Sequence, residues 1–311
     1  MQGGARGGEK VLGSLPRLLV CGGSAAVGRG AVSEVWGLNM ATMRWKAMSA
    51  LLCTRRGHAC SMVRGALVVP GGFVPRVGLP QGPTSRVEML SKGARAFVEL
   101  PPLSCGATYG AAVIAVDESR SASGQVLLLG GRNKDDTSTS PMRLVDLVTG
   151  ISTPQADLLN VRSYFAAARL PDRGIIRAGG IGPATVEMLE RPMQGALDAA
   201  WMWRRLPAMS VRRSGCSGCM LSDGRFAVLG GYSTGACMSS CEALTLGDDG
   251  HWSPLPQMHD TQAYYACAAV AGCIIVAGGG GYPPRKTAEV YDEVLGRWLH
   301  DSPHDGGLSI I

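Results

Sequence analysis

The 311-residue sequence is poor in charge and in aromatic rings: Asp, Glu, Lys and Arg make up 17% of it, and Phe, Trp and Tyr 5%. Disordered chains carry more charge and less apolar content than this, so a hydrophobic share of 46% excludes disorder as the general state. Lysine is scarce as well, at 5 against 25 arginines, and no arginine run exceeds two. The net charge of +6 is therefore dispersed, without the basic blocks and interleaved aromatics of nucleic-acid binders. Long apolar runs are missing: nothing approaches the roughly 18 residues of a membrane span, and Arg17 interrupts the short apolar stretch near the start, so no signal-peptide core is expected. Several of the ten cysteines sit inside apolar stretches such as LLVCGG and AGCIIVAGG, where cysteine acts as a small hydrophobe. Free thiols and a cytoplasmic setting, with a nuclear one open, are expected from that usage. Neither nucleic acid nor membrane is expected as a partner.

What the chain has in abundance is glycine, 44 residues of it, and the glycines are ordered. Six apolar runs end on a glycine pair: LLVCGG, LVVPGG, VLLLGG, IIRAGG, AVLGG and IIVAGG, with first glycines at 22, 71, 130, 179, 230 and 278. The spacings are 49, 59, 49, 51 and 48 residues, which marks a stacked supersecondary unit. Small-residue runs precede the pairs (HACSMV, YGAAVIAV, YFAAARL, GCSGCML, YYACAAV). A third stretch follows a variable loop (SEVWGL, RVEML, MRLVDL, TVEMLE, SCEALT, AEVYDE). A fourth often holds tryptophan, at Trp45, Trp203, Trp252 and Trp298. Four antiparallel strands repeated six times describe an all-β, six-bladed β-propeller. Small inner strands suit the crowded hub, and glycine pairs suit a sharp turn where a Cβ has no room. A phosphate-binding loop would need the glycines to open a helix, and the polar segments that follow them, such as RNKDDTSTSP, have no helical period.

The paired glycines, the VYDEVLGRW stretch and the trailing tryptophan together resemble the kelch repeat, best in YYACAAVAGCIIVAGGGGYPPRKTAEVYDEVLGRW. The resemblance covers about residues 9–305 and implies a single kelch propeller over 9–311 behind a flexible tail at 1–8. Residues 9–15 or 308–311 could supply the strand that closes the ring.

The loop entering each first strand and the loop leaving each second strand belong on one face. Entering segments carry Arg55-Arg56, Arg162 and Arg212-Arg213, with Ala107 and Gln262 in repeats three and six; leaving segments begin with Ser24, Phe73, Arg132, Ile181, Tyr232 and, after two extra glycines, Tyr282. Arginines interleaved with Tyr and Phe around a concave entrance suit carboxylates or phosphates with apolar neighbours. VRRSGCSG and GGRNKDD resemble the peptide-binding segments of kelch substrate adaptors, which makes Arg56, Arg132, Arg162, Arg213 and Tyr232 the expected contacts, with Phe73, Tyr164, Tyr264 and Tyr282 beside them. By that resemblance the expected role is a non-catalytic protein-interaction module for an acidic or phosphorylated segment, as a ligase substrate adaptor or scaffold.

Other readings stand beside it. Five repeats carry a glutamate in the third strand (Glu34, Glu88, Glu187, Glu242, Glu289), so the inner-strand arginines could instead form buried structural pairs. A kelch-type enzyme such as a sugar or sialic-acid isomerase, working in the central channel, is the alternative function. Catalysis is otherwise unsupported: the five histidines lack the pairing of copper-dependent kelch oxidases, His58 fits as a filler, and no nucleophile adjoins a base. Cys216-x2-Cys219 with Cys237-x3-Cys241 outlines a zinc site, but odd spacing on a strand sends the first two to opposite faces. No metal and no cofactor are expected.

Overall fold

The computed structural model describes residues 17–24, 30–39, 44–76, 79–116, 124–171, 174–190, 201–247, 250–280 and 288–300. The tail at 1–8, both candidates for the closing strand and Tyr282 lie outside these residues. The described chain is built of antiparallel strands, and none of its residues is helical. No helix among them is long and apolar enough to cross a membrane.

The sheets follow the repeat and form a six-bladed β-propeller. Blade one shows Arg17–Ser24, Ala31–Asn39 and Arg44–Ala47. Blade two is Ser61–Val63, Ala66–Pro70, Val87–Leu90 and Val98–Leu100; blade three is Ala112–Ala115, Gln125–Leu129, Met142–Asp146 and Ser152–Pro154. Blade four is Ala166–Arg169, Ile175–Ala178, Val186–Glu190 and Met202–Leu206; blade five is Ser217–Met220, Phe226–Leu229, Cys241–Thr245 and His251–Leu255. Blade six is Ala266–Val270, Cys273–Ala277, Ala288–Asp292 and Arg297–His300. Two-stranded ribbons, Phe73–Arg76 with Leu79–Pro83 and Tyr232–Ser233 with Ala236–Cys237, rise from the loops that leave the glycine pairs of blades two and five.

Continuous apolar second strands have a direct cause: both of their faces are buried, so alternate residues serve different neighbours. In blade two Leu67 and Val69 face blade one, while Val68 packs with Val126 and Leu128 of blade three. In blade six Ile274 and Val276 face blade five, and Ile275 meets Leu18 and Leu38 of blade one. That last contact closes the ring. The hydrophobic core is thus a set of seams between successive blades.

The glycine pairs sit on those seams. The second glycine's N–H donates to a carbonyl of the next blade: Gly72 to Thr108 (2.8 Å), Gly131 to Arg162 (2.8 Å), Gly180 to Arg213 (2.9 Å) and Gly231 to Gln262 (2.8 Å). The first glycine makes room for the same carbonyl. A Cβ on Gly179, whose φ is +71°, would stand 2.5 Å from the Arg213 oxygen, and one on Gly71 2.5 Å from that of Thr108.

Four further tethers recur. The buried guanidinium of Arg55 or Arg213 donates from Nη1 to the carbonyl of the first glycine of its own blade, Gly71 or Gly230, 2.8 Å away in both blades. Its other arm meets the third-strand glutamate, Glu88 or Glu242. That carboxylate in turn accepts backbone N–H groups from the segment joining the preceding blade, as Glu88 does from Leu52 (2.7 Å) and Glu242 from Ser210 (3.1 Å). Outer-strand indoles donate to carbonyls of the same joining segments: Trp203 to Ala156, Trp252 to Pro207 and Trp298 to Pro256, each at 2.9 Å. In blade six Gln262 stands in for arginine and donates to Glu289 at 2.8 Å.

Breaking such a pair from one side strands a buried carboxylate. Arg213→Met is expected to lose about 3–5 kcal/mol of unfolding free energy, and Arg213→Met with Glu242→Met to recover much of it. Urea titrations of both variants measure the difference, and equal losses in the two would refute the pairing account.

Candidate functional site

Backbone bridges place the entering and leaving segments side by side on one face. Arg56 pairs with Phe73, Tyr109 with Arg132, Ser214 with Tyr232 and Ala263 with Gly280. These residues surround the mouth of the central channel, the place expected for recognition.

Two of the expected contacts are not there. Arg162 and Arg213 are 0% and 2% exposed, turned into their blades rather than toward the mouth. Arg213 is held by Glu242 and by the carbonyls of Gly230 and Ser240; Arg162 is held by the carbonyls of Gly179 and Pro183 and the Thr185 hydroxyl. The expectation that they bind a ligand is corrected to a structural role. Arg55 shares it, and the matching place in blade three belongs to Thr108 rather than Ala107, since Thr108 offers the seam carbonyl there. Blade four departs from the pattern: Glu187 pairs with Arg177 instead of Arg162. Burial, and then the charge of Arg177, bring the Arg162 guanidinium down to about 10.

The remaining candidates do gather. The Arg56 guanidinium lies 5.3 Å over the Phe73 ring, which meets the Tyr109 ring edge-on at 5.2 Å. Tyr109 meets Tyr164 at 6.3 Å, and Tyr164 meets Tyr264 at 5.3 Å, again edge to face. These T-shaped contacts suit ring quadrupoles and hold the row rigid. Arg132 pairs with Asp136 at 3.0 Å and donates to the Asp136 carbonyl at 3.1 Å. Burial first, then Tyr264, push the Tyr164 phenol up to about 12; the positive charges of Arg132 and Arg56 pull against that shift and Asp136 adds to it. The charges of Arg132, Arg56 and Asp136 are thus all felt at the Tyr164 phenol. Tyr232, 41% exposed, holds in blade five the place that Phe73 holds in blade two. Tyr109 and Asp136 were not singled out from the sequence. Tyr109 was legible, since it occupies in blade three the register of Arg56; Asp136 follows only from the turn that brings it back onto Arg132.

Groups outside the mouth are absorbed by the fold. His58 Nε2 lies 2.9 Å from the Cys21 carbonyl, and its ring fills the space beside Gly22. Cys216 and Cys219 pack into different seams, on opposite faces of their strand as the odd spacing requires. A cavity of about 230 Å³ opens along the outer strands of blade five, but its walls include the structural pair Arg213 and Glu242.

No family model matches the chain, and no curated protein matches it. Among solved structures it is similar to YjhT, with a TM-score of 0.75 at 13% identity over 93% of this chain and 95% of that one. The two share the six-bladed propeller architecture. The burial of Arg162 and Arg213, with this likeness, corrects the expected adaptor role: of the four arginines meant to grip an acidic peptide, only Arg56 and Arg132 stand at the mouth, beside a row of aromatic rings.

The half-buried histidine His58 gives a pH dependence. Burial, and then the charge of Arg55, bring His58 down to about 4 from the usual 6.5, so it is neutral in the fold. The unfolded chain takes up that proton first as pH falls, so stability should drop between about pH 6.5 and 4, by about 3 kcal/mol at most from this group. Urea unfolding at pH 7.5, 6.0 and 4.5 should show a slope that His58→Gln flattens; an unchanged slope would contradict the assignment.

Proposed function

We propose that this chain is a kelch-type propeller that binds a small carboxylated sugar at the channel mouth and interconverts its ring forms, as a sugar or sialic-acid isomerase does. One observation carries the reading: the row of Phe73, Tyr109, Tyr164 and Tyr264, flanked by the guanidiniums of Arg56 and Arg132. Flat aromatic faces accept the apolar face of a pyranose, and guanidinium groups grip a carboxylate through paired hydrogen bonds.

Ring opening needs a proton removed from the anomeric hydroxyl while another reaches the ring oxygen, and closure on the opposite face reverses both transfers. Asp136 supplies a carboxylate to accept and Tyr164 a phenol to donate, and the two act on each other electrostatically. Arg132, paired with Asp136 at 3.0 Å, holds that carboxylate in place. The similarity to YjhT supports the architecture on which this rests.

Calorimetry with N-acetylneuraminate, glucuronate and the uncharged N-acetylglucosamine tests the reading, with NMR exchange between anomers as the rate measurement. The acids should bind and the neutral sugar should not. Arg56→Ala with Arg132→Ala should weaken binding roughly tenfold or more. Asp136→Asn should slow anomer exchange while leaving affinity within about threefold. Equal binding of charged and neutral sugars, or exchange no faster than in buffer, would overturn it.

A further inference from the structure

One position at the hub is left-handed in every described blade that contains it. Gly57, Gly110 and Gly215 hold it in blades two, three and five with φ of 60°, 62° and 59°. Tyr164 and Tyr264 hold it in blades four and six, both at φ 58°. A hydrogen-bonded chain of backbone groups runs around the axis through these residues: Gly110 N–H donates to Gly57 (2.7 Å), Tyr164 to Gly110 (2.8 Å), Gly215 to Tyr164 (2.7 Å) and Tyr264 to Gly215 (2.8 Å). The ring of bonds asks only for a left-handed backbone, which glycine adopts freely and a bulky side chain adopts rarely. Architecture therefore accounts for the glycines and leaves the tyrosines unexplained.

Both rings lie across a neighbouring blade. A Cβ on Gly110 would stand 2.9 Å from the Tyr164 ring, and one on Gly215 2.7 Å from the Tyr264 ring. The Tyr164 hydroxyl reaches farther, ending 3.5 Å from where a Cβ on Gly57 would stand. The glycines beside the tyrosines are thus vacated seats, and the two rings meet at 5.3 Å with Tyr264 52% exposed. Strained backbone held in place by its surroundings is a mark of functional positions.

Resting on the sugar-binding reading above, we propose that Tyr164 and Tyr264 form a two-ring cap over the hub that sets specificity: it offers Tyr264 as the stacking face for one sugar ring and bars linked sugars from passing into the channel. The fold tolerates removal of the cap because glycine already serves the same position in three blades. The cap selects a terminal or free monosaccharide acid, held from above, against an oligosaccharide that would thread the hub.

Tyr264→Gly, Tyr164→Gly and the double variant test this, with Tyr164→Asn as a fold-preserving substitute because Asn adopts the left-handed region readily. Melting temperature should stay the same or rise in Tyr264→Gly, since strain is relieved and little burial is lost. Calorimetry should show wild type preferring N-acetylneuraminate over its linked dimer at least tenfold. Tyr264→Gly should lose at least tenfold in affinity for the monosaccharide, and the double variant should lose the preference. Wild-type affinity and preference retained in these variants would overturn the cap while leaving the sugar site standing. A wild type that binds none of the acids would overturn the sugar site, and the cap with it.

Discussion

The whole ring depends on one hydrogen bond repeated from blade to blade: among the described residues, the N–H of the second glycine in five of the six pairs donates to a carbonyl at the start of the next blade's inner strand. Blades carry hydrophobic faces on both sides, and such faces alone would allow neighbours to slide. A directed bond of 2.8–2.9 Å at the hub fixes height and angle at once. It demands two glycines for two reasons. The first must approach the accepting carbonyl more closely than any Cβ allows; the second must turn its N–H across the seam with a φ near +100°, where other residues are strained. Because the acceptor is backbone, the side chain at that position is free to be Arg, Thr or Gln.

That freedom is spent on a second layer of fastening. Where Arg is present it points into its own blade and satisfies the carbonyl that the glycine turn has pulled out of the sheet ladder. An orphaned buried carbonyl would be destabilising, and so would an unpaired buried guanidinium; in blades two and five the carbonyl, the guanidinium and the third-strand glutamate partner one another. The glutamate also reaches the joining segment, and the tryptophan on the fourth strand reaches it from the outside. The segments leading into blades five and six are consequently held from both sides, which fixes where the next blade's inner strand begins and which of its residues emerge at the mouth.

Most of the architecture was legible because it rests on period. Glycine pairs recurring near every 50 residues, small inner strands and outer tryptophans each answer a constraint that acts on every blade alike. The site was legible only in part, because it turns on register within a single residue. In Arg55-Arg56 the two neighbours point opposite ways, one into the blade and one over Phe73, and a strand's two-residue alternation makes that difference total. Aligning Arg162 and Arg213 with the exposed member instead of the buried one turned structural arginines into expected ligand contacts. Nor does a sequence display backbone handedness: Tyr164 and Tyr264 read as ordinary aromatics until the glycines at the same place in other blades are set beside them.

At the hub, positions that the architecture claims sit directly beside positions that it leaves open. Residues one position apart obey opposite rules. Arg55, Thr108, Arg162, Arg213 and Gln262 face into the blades and are constrained by what they must satisfy there. The following residues, Arg56, Tyr109, Ser163, Ser214 and Ala263, are of four kinds in five blades, since only their backbone bridges are needed. The next position requires a backbone hand and nothing else. These two positions are therefore not all claimed by the fold, although Ser163 and Ala263 are buried. In this chain blades two, three, four and six fill them with guanidinium and aromatic groups that reach one another across the axis, while blade five contributes the glycine on which one ring rests.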